Sequence, residues 1–175
     1  MKRTLTTAAL LLLASHAVAE SPYAGMQSRS VKALSEQQVS DLSQGRGMGM
    51  ALAAELNGYP GPSHVLELAD KLELRPDQIS AIRSLFESMK REAIPLGARL
   101  IEEERELDRQ FATRAITSDS LRTVIAAAAR TQGELRETHL KYHLTTVTVL
   151  EPEQMRRYTS LRGYLAGPAS HQRHK

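Results

Sequence analysis

Apolar or small side chains recur at Ile79, Ile82, Phe86, Met89, Ala93, Leu96 and Leu100, in alternating steps of three and four residues. Leu107 and Phe111 continue the series. A second series runs Leu121, Ile125, Ala128, Gln132, Leu135, His139, Tyr142, Thr146 and Val149 with the same steps. This period belongs to helices that each turn one stripe to a partner. Residues between the apolar positions, as in IEEERELDRQ at 101–110, are mostly Glu and Arg, the pattern of a solvated, ion-paired helix face. A short reversal at Ala115–Ser118 joins the two, with Thr117 or Ser118 as the cap of the second. Two long helices with matching seams and a short connection predict an all-α fold built on an antiparallel helical hairpin. Pro95 predicts a kink in the first helix. Val147-Thr148-Val149 is β-prone, but it continues the helical seam, so no strand is predicted.

Two breaks bracket the hairpin: Leu74-Arg75-Pro76-Asp77-Gln78 and Leu150-Glu151-Pro152-Glu153-Gln154. Proline fits the first turn of a helix, where its missing N–H leaves nothing unpaired, and the acidic neighbour complements the helix dipole. The second break starts a last helix, Glu153–Leu165, which Gly167-Pro168 ends. Upstream, Ser35 and Gln38 have the spacing of a capping box. Gly45, Gly47 and Gly49 lack a Walker lysine and a preceding strand, so they are read as a flexible joint and not as a phosphate cradle. Met50–Leu56 is a short apolar helix stopped by Asn57–Pro62, and Ser63 is expected to cap a helix over His64–Leu72. Two long helices make a thin core. The shorter helices are expected to cover one side and a second copy of the chain the other.

Residues 1–19 have the form of a cleaved secretory leader, with basic Lys2 and Arg3, an apolar run from Leu5 to Ala14, and Ala17-Val18-Ala19 before the cut. Removing Lys2 and Arg3 takes 23 basic residues to 21, against 20 acidic. That balance gives no basic stripe for nucleic acid. No later apolar run is long enough to span a membrane, so the mature chain is expected to be exported and not membrane-inserted. There is no Cys, so disulfides do not staple the fold. The expected organisation is the leader at 1–19, a flexible extension with short helices at 20–62, a helical domain at 63–166, and a disordered tail at 167–175.

The two Leu-x-Pro-x-Gln breaks, bracketing a helical hairpin in an exported chain without Cys, resemble the LTxxQ motifs of the Spy/CpxP family of periplasmic stress proteins. That family includes zinc-resistance-associated proteins and periplasmic heavy-metal sensors. The resemblance covers about Leu66–Tyr164, and Arg75 and Glu151 stand where the family pattern has Thr. It implies a hooked four-helix protomer, an antiparallel homodimer with a cradle-like surface, and a periplasmic role in binding transition metals or unfolded client proteins. A membrane-bound regulator is a further implied partner of the metal-sensing branch.

The chemistry expected of the residues themselves centres on His139 and His143. Side chains four apart on a helix stand one above the other, and two imidazoles so placed can share one Zn²⁺, Ni²⁺, Co²⁺ or Cu²⁺. Hairpin symmetry about residue 116 sets Glu92 and Met89 opposite them as third and fourth ligands. The other reading of His139 is a core histidine bonded to Glu92. His64 and the tail pair His171/His174 are weaker candidates. Met48 and Met50 are read as packing residues or soft-metal ligands. No enzyme is expected: Leu140, Lys141 and Tyr142 separate the histidines where H-E-x-x-H needs a glutamate, and no P-loop, G-x-S-x-G or Cys nucleophile occurs. The leading expectation is a heavy-metal-resistance or metal-sensing protein, and the alternative is an ATP-independent chaperone.

Overall fold

The computed structural model describes residues 21–164. The leader, the Gly167-Pro168 helix stop and the tail with His171 and His174 lie outside the described residues. Among the described residues the chain is all-helical, with no strand. A 3₁₀ turn at Met26–Ser28 precedes six α-helices: α1 Glu36–Ser43, α2 Leu52–Glu55, α3 Pro62–Glu67, α4 Pro76–Ala112, α5 Ser118–Val147 and α6 Pro152–Leu161. Four of them, α3 to α6, fall in the expected helical domain, and α1 and α2 are short helices of the segment before it.

The helix starts follow from local chemistry. Ser35 Oγ accepts from the Gln38 amide at 3.1 Å while Gln38 Oε1 accepts from the Ser35 amide at 2.8 Å, which fixes α1. Thr117 and Ser120 make the same reciprocal pair for α5. At the two breaks proline opens α4 and α6. There Gln78 Oε1 accepts from the Arg75 amide and Gln154 Oε1 from the Glu151 amide, each at 3.0 Å. The same two glutamines then meet. Gln78 Nε2 donates to Gln154 Oε1 at 2.9 Å, and Gln154 Nε2 donates back to Gln78 Oε1 at 3.0 Å. Gln78 Nε2 also donates to the Val149 carbonyl. Both side chains are buried, and every polar atom in the pair is used. Arg75 and Glu151, the charged residues in the two motifs, form an ion pair over this clasp.

α4 and α5 run antiparallel. Lys141 and Tyr142 bond Glu92, Arg99 bonds Glu134, and Thr131 Oγ1 donates to Glu103, so partners mirror about Ile116 and Thr117. α4 passes through Pro95 as one helix. The buried core has two parts. One joins Val31 and Leu42 to Ala93, Leu100 and Ile101 of α4 and to Ala128 and Leu135 of α5. The other gathers Val65, Leu72, Ile82, Leu150 and Tyr158 around the clasp.

Within residues 21–62 the short helices pack onto the long pair. Val31 and Leu42 are fully buried, a gain of about 2 kcal/mol each from apolar area removed from water. Gly97 lets α1 come this close, since a Cβ there would overlap the Leu42 carbonyl. Two helix ends also differ from expectation. Gly61 caps α3 and Pro62 takes its first position, so Ser63 is inside the helix and its hydroxyl turns to Glu67. α6 stops at Leu161, before the expected Leu165, because Gly163 adopts a left-handed φ of 72° and the Tyr164 amide bonds back to the Thr159 carbonyl. At the far end of the helix pair the seam is left uncovered: Phe111, Leu121 and Ile125 are exposed. Among the described residues no helix is long and apolar enough to cross a membrane.

Candidate metal-binding cavity

A cavity of about 760 Å³ lies between the Gly45–Gly49 loop, the α2–α3 segment, and the faces of α4 and α5 that carry Met89, His139 and His143. The loop expected to be a flexible joint is one wall of it. Gly45 and Gly49 take left-handed φ values of 65° and 77°, and these turn the chain over the histidines. A Cβ on Gly47 would sit 3.6 Å from Nδ1 of His139, so the backbone lies directly on that ring.

His143 is held in one tautomer. Its Nδ1 is 2.6 Å from the carbonyl oxygen of Tyr59, which can only accept, so Nδ1 carries the proton and Nε2 keeps the lone pair. An imidazole whose second nitrogen donates to a carbonyl is the usual arrangement of a metal-ligating histidine. Gly61 lies over the same ring, and a Cβ there would be 2.7 Å from Cε1 and Nε2. His139, one turn earlier, is buried and its Nε2 has no hydrogen-bond partner. Burial first, and then the charge of His143, hold its pKa below the ordinary histidine value, so the neutral ring is favoured. Met89 is buried on the opposite wall.

Glu92 is not with them. Its carboxylate bonds Lys141 and the Tyr142 hydroxyl on the outer side of the helix pair, and it lines no part of this cavity. Hydrogen bonds from Lys141 and then Tyr142 hold its pKa below the usual carboxylate range. The expected Glu92 ligand is corrected, as is the alternative in which it bonds His139. The reason is angular: position 92 is one residue off the seam that carries Met89 and Ala93, which turns it by about 100° on the helix.

The carboxylate that does lie here is Glu55 of α2. It is buried, and its Oε1 accepts from the hydroxyls of Tyr158 and Tyr164, with Arg162 Nε at 3.4 Å and His64 Nδ1 at 3.3 Å. Oε2 has no hydrogen-bond partner and lies 3.7 Å from His143 Nδ1. Burial raises its pKa, but hydrogen bonds from His64 and Tyr158, the His64 charge and Tyr164 outweigh this and bring it down to about 2. In sequence Glu55 is one more glutamate in a short helix. The one available signal was glycine: Gly47 and Gly61 stand where backbone meets a histidine ring, although the sequence reads them as a joint and a helix stop. Among the described residues no group of three or more His, Cys, Asp or Glu side chains is arranged to hold a metal ion. Besides Glu55, Glu67 and His64, the donor-bearing residues that line the cavity are His139, His143, Met48 and Met89. Compared with models of known protein families, with curated proteins and with solved structures, the chain matches none.

Proposed function

We propose that this chain is a periplasmic metal-resistance or metal-sensing protein, which takes a transition-metal ion into the cavity through His139 and His143. The observation that carries the reading is the state of the two rings. His143 is locked with its Nε2 lone pair free, and His139 is buried with an unpartnered nitrogen at the same wall. The unpartnered nitrogen does not serve packing, since an apolar side chain at 139 would fill the place without an unmet hydrogen bond. Met89 adds a thioether donor. The resemblance of the two Leu-x-Pro-x-Gln breaks to the Spy/CpxP motifs, and the leader-like first residues, support the compartment and the homodimer proposed with it.

The test is a thermal melt of the mature chain with Zn²⁺, Ni²⁺, Co²⁺ or Cu²⁺. An ion that binds only the folded chain adds RT ln(1 + [L]/Kd), about 2.7 kcal/mol at a hundredfold excess over Kd. The gain should weaken below pH about 6.5, where free imidazole takes up a proton. His139→Ala/His143→Ala should abolish it, and Glu92→Gln should not. A full gain in the double variant moves the ion elsewhere.

A second reading, an ATP-independent chaperone, is favoured by the uncovered seam at the tip. Phe111, Leu121 and Ile125 are 54%, 37% and 47% exposed. Grouped apolar exposure of this kind suits an unfolded client or a second copy of the chain. Mature protein should then slow the aggregation of a denatured substrate without nucleotide, and Phe111→Ser/Ile125→Ser should remove that effect. Equal aggregation with and without the protein removes the reading.

A further inference from the structure

We infer that the cavity is built for a soft, singly charged ion, copper(I) or silver(I), held by the thioethers of Met48 and Met89 beside the imidazoles of His139 and His143. The inference rests on the metal reading of this cavity and specifies its ligand class.

Met48 is the pointer. It lies between Gly47 and Gly49 at φ 43°, in the left-handed region. An unbranched side chain there costs about 1 kcal/mol that a third glycine would not. The site does not recover this by packing. Met50, two residues on, packs against the core, whereas Met48 is 39% exposed and lines the cavity. A strained, half-exposed methionine on a glycine loop across from a buried one places two thioether-bearing residues on the same cavity as two imidazoles.

The surroundings favour low charge. Of the carboxylates on the wall, Glu55 has one oxygen crowded by Tyr158, Tyr164, Arg162 and His64 and the other sealed, and Glu67 is bonded by Ser63. The thioethers of Met48 and Met89 and the imidazoles of His139 and His143 are neutral donors, and His64, also on the wall, is engaged by Glu55 through Nδ1 at 3.3 Å. Lys90 also lines the cavity, and its repulsion counts twice against a dication, whereas Arg46 on the same wall is paired with Asp41. Neutral sulfur and imidazole donors without a carboxylate suit copper(I), whereas zinc, nickel and cobalt gain more from harder ligands.

The experiment uses the full mature chain with ¹³C-methyl methionine, titrated with silver nitrate in chloride-free buffer and, separately, with Zn²⁺ and Co²⁺. At one equivalent of silver the methyl signals of Met48 and Met89 should move, while those of Met26, Met50 and Met155 hold. Zn²⁺ and Co²⁺ should leave all of them in place. Met48→Leu/Met89→Leu should lose at least about tenfold in silver affinity. The wild-type spectra decide the matter even if the double variant fails to fold. If Zn²⁺ or Co²⁺ binds and silver moves no methionine, or moves all alike, the soft-ion inference falls and the metal reading stands. If no ion of either class binds, both fall.

Discussion

The chain buries two polar clusters, and they are opposite in kind. At the clasp, every side-chain polar atom of Gln78 and Gln154 has a partner, on the other glutamine, on the helix starts, or on the Val149 carbonyl. At the cavity, His139 Nε2 and Glu55 Oε2 are buried with no partner. A buried polar group left unpaired costs about 1–3 kcal/mol, so a fold keeps one only where something else is gained. The satisfied cluster holds the helices together, and the unpaired nitrogen of His139 at the other is what the proposed metal reading builds on.

That contrast can be broken in three places. The largest effect is expected at the clasp. Gln78→Ala removes the cap on α4 and strands the amide of Gln154, a loss of about 3 kcal/mol in chemical denaturation. Gln78→Leu/Gln154→Leu should cost less than the two single changes added together, because it leaves no stranded partner. A loss under about 1 kcal/mol for Gln78→Ala would make the clasp incidental. Next comes acid. The folded pKa of Glu55 is depressed from 4.5 to about 2, so its contribution is whole above pH about 4.5 and is lost as pH falls toward 2. The span corresponds to about 3 kcal/mol, and Glu55→Gln should flatten that limb of the stability profile. The smallest effect, and of opposite sign, is expected at His139. His139→Leu removes an unpaired nitrogen and should leave the metal-free protein as stable or up to about 1 kcal/mol more so. It should also lessen the stability lost below pH 6.5, where the unfolded chain protonates this histidine and the fold resists it. A loss of 3 kcal/mol would instead mark His139 as an ordinary core residue.

The helix starts at the clasp were legible in the sequence, while the pairing of Gln78 with Gln154 and the cavity were not, for a physical reason. Pro76, Gln78, Pro152 and Gln154 act through local rules, helix starts and caps that five residues can state. The seams likewise announce α4 and α5 by period alone, down to Ala93, Leu100, Ala128 and Leu135 in the core. The period cannot say where burial stops, and the positions at Phe111, Leu121 and Ile125 fit the seam yet face outward. It also cannot place a side chain one step off the stripe, which is how Glu92 came to bond Lys141 and not to face His139. The segment at 20–62 was read as loose because its packing rests on close backbone approach at Gly97, Gly47 and Gly61, which no hydrophobic period records. Of the proposed site, His139, His143 and Met89 could be read from spacing. Glu55 and the Tyr59 carbonyl could not, because their roles exist only once the α2–α3 segment is folded onto α5.

The clasp has a further consequence, for the order of folding events. α4 and α5 join through a short turn and make mostly near-diagonal contacts at that end, which form fast. The Gln78–Gln154 pair instead closes a loop that contains both long helices, so it can form only after they have docked. Its stabilising effect then falls mainly on the rate of opening and little on the rate of assembly. The clasp serves as a kinetic lock: it sets how long the assembled molecule stays closed.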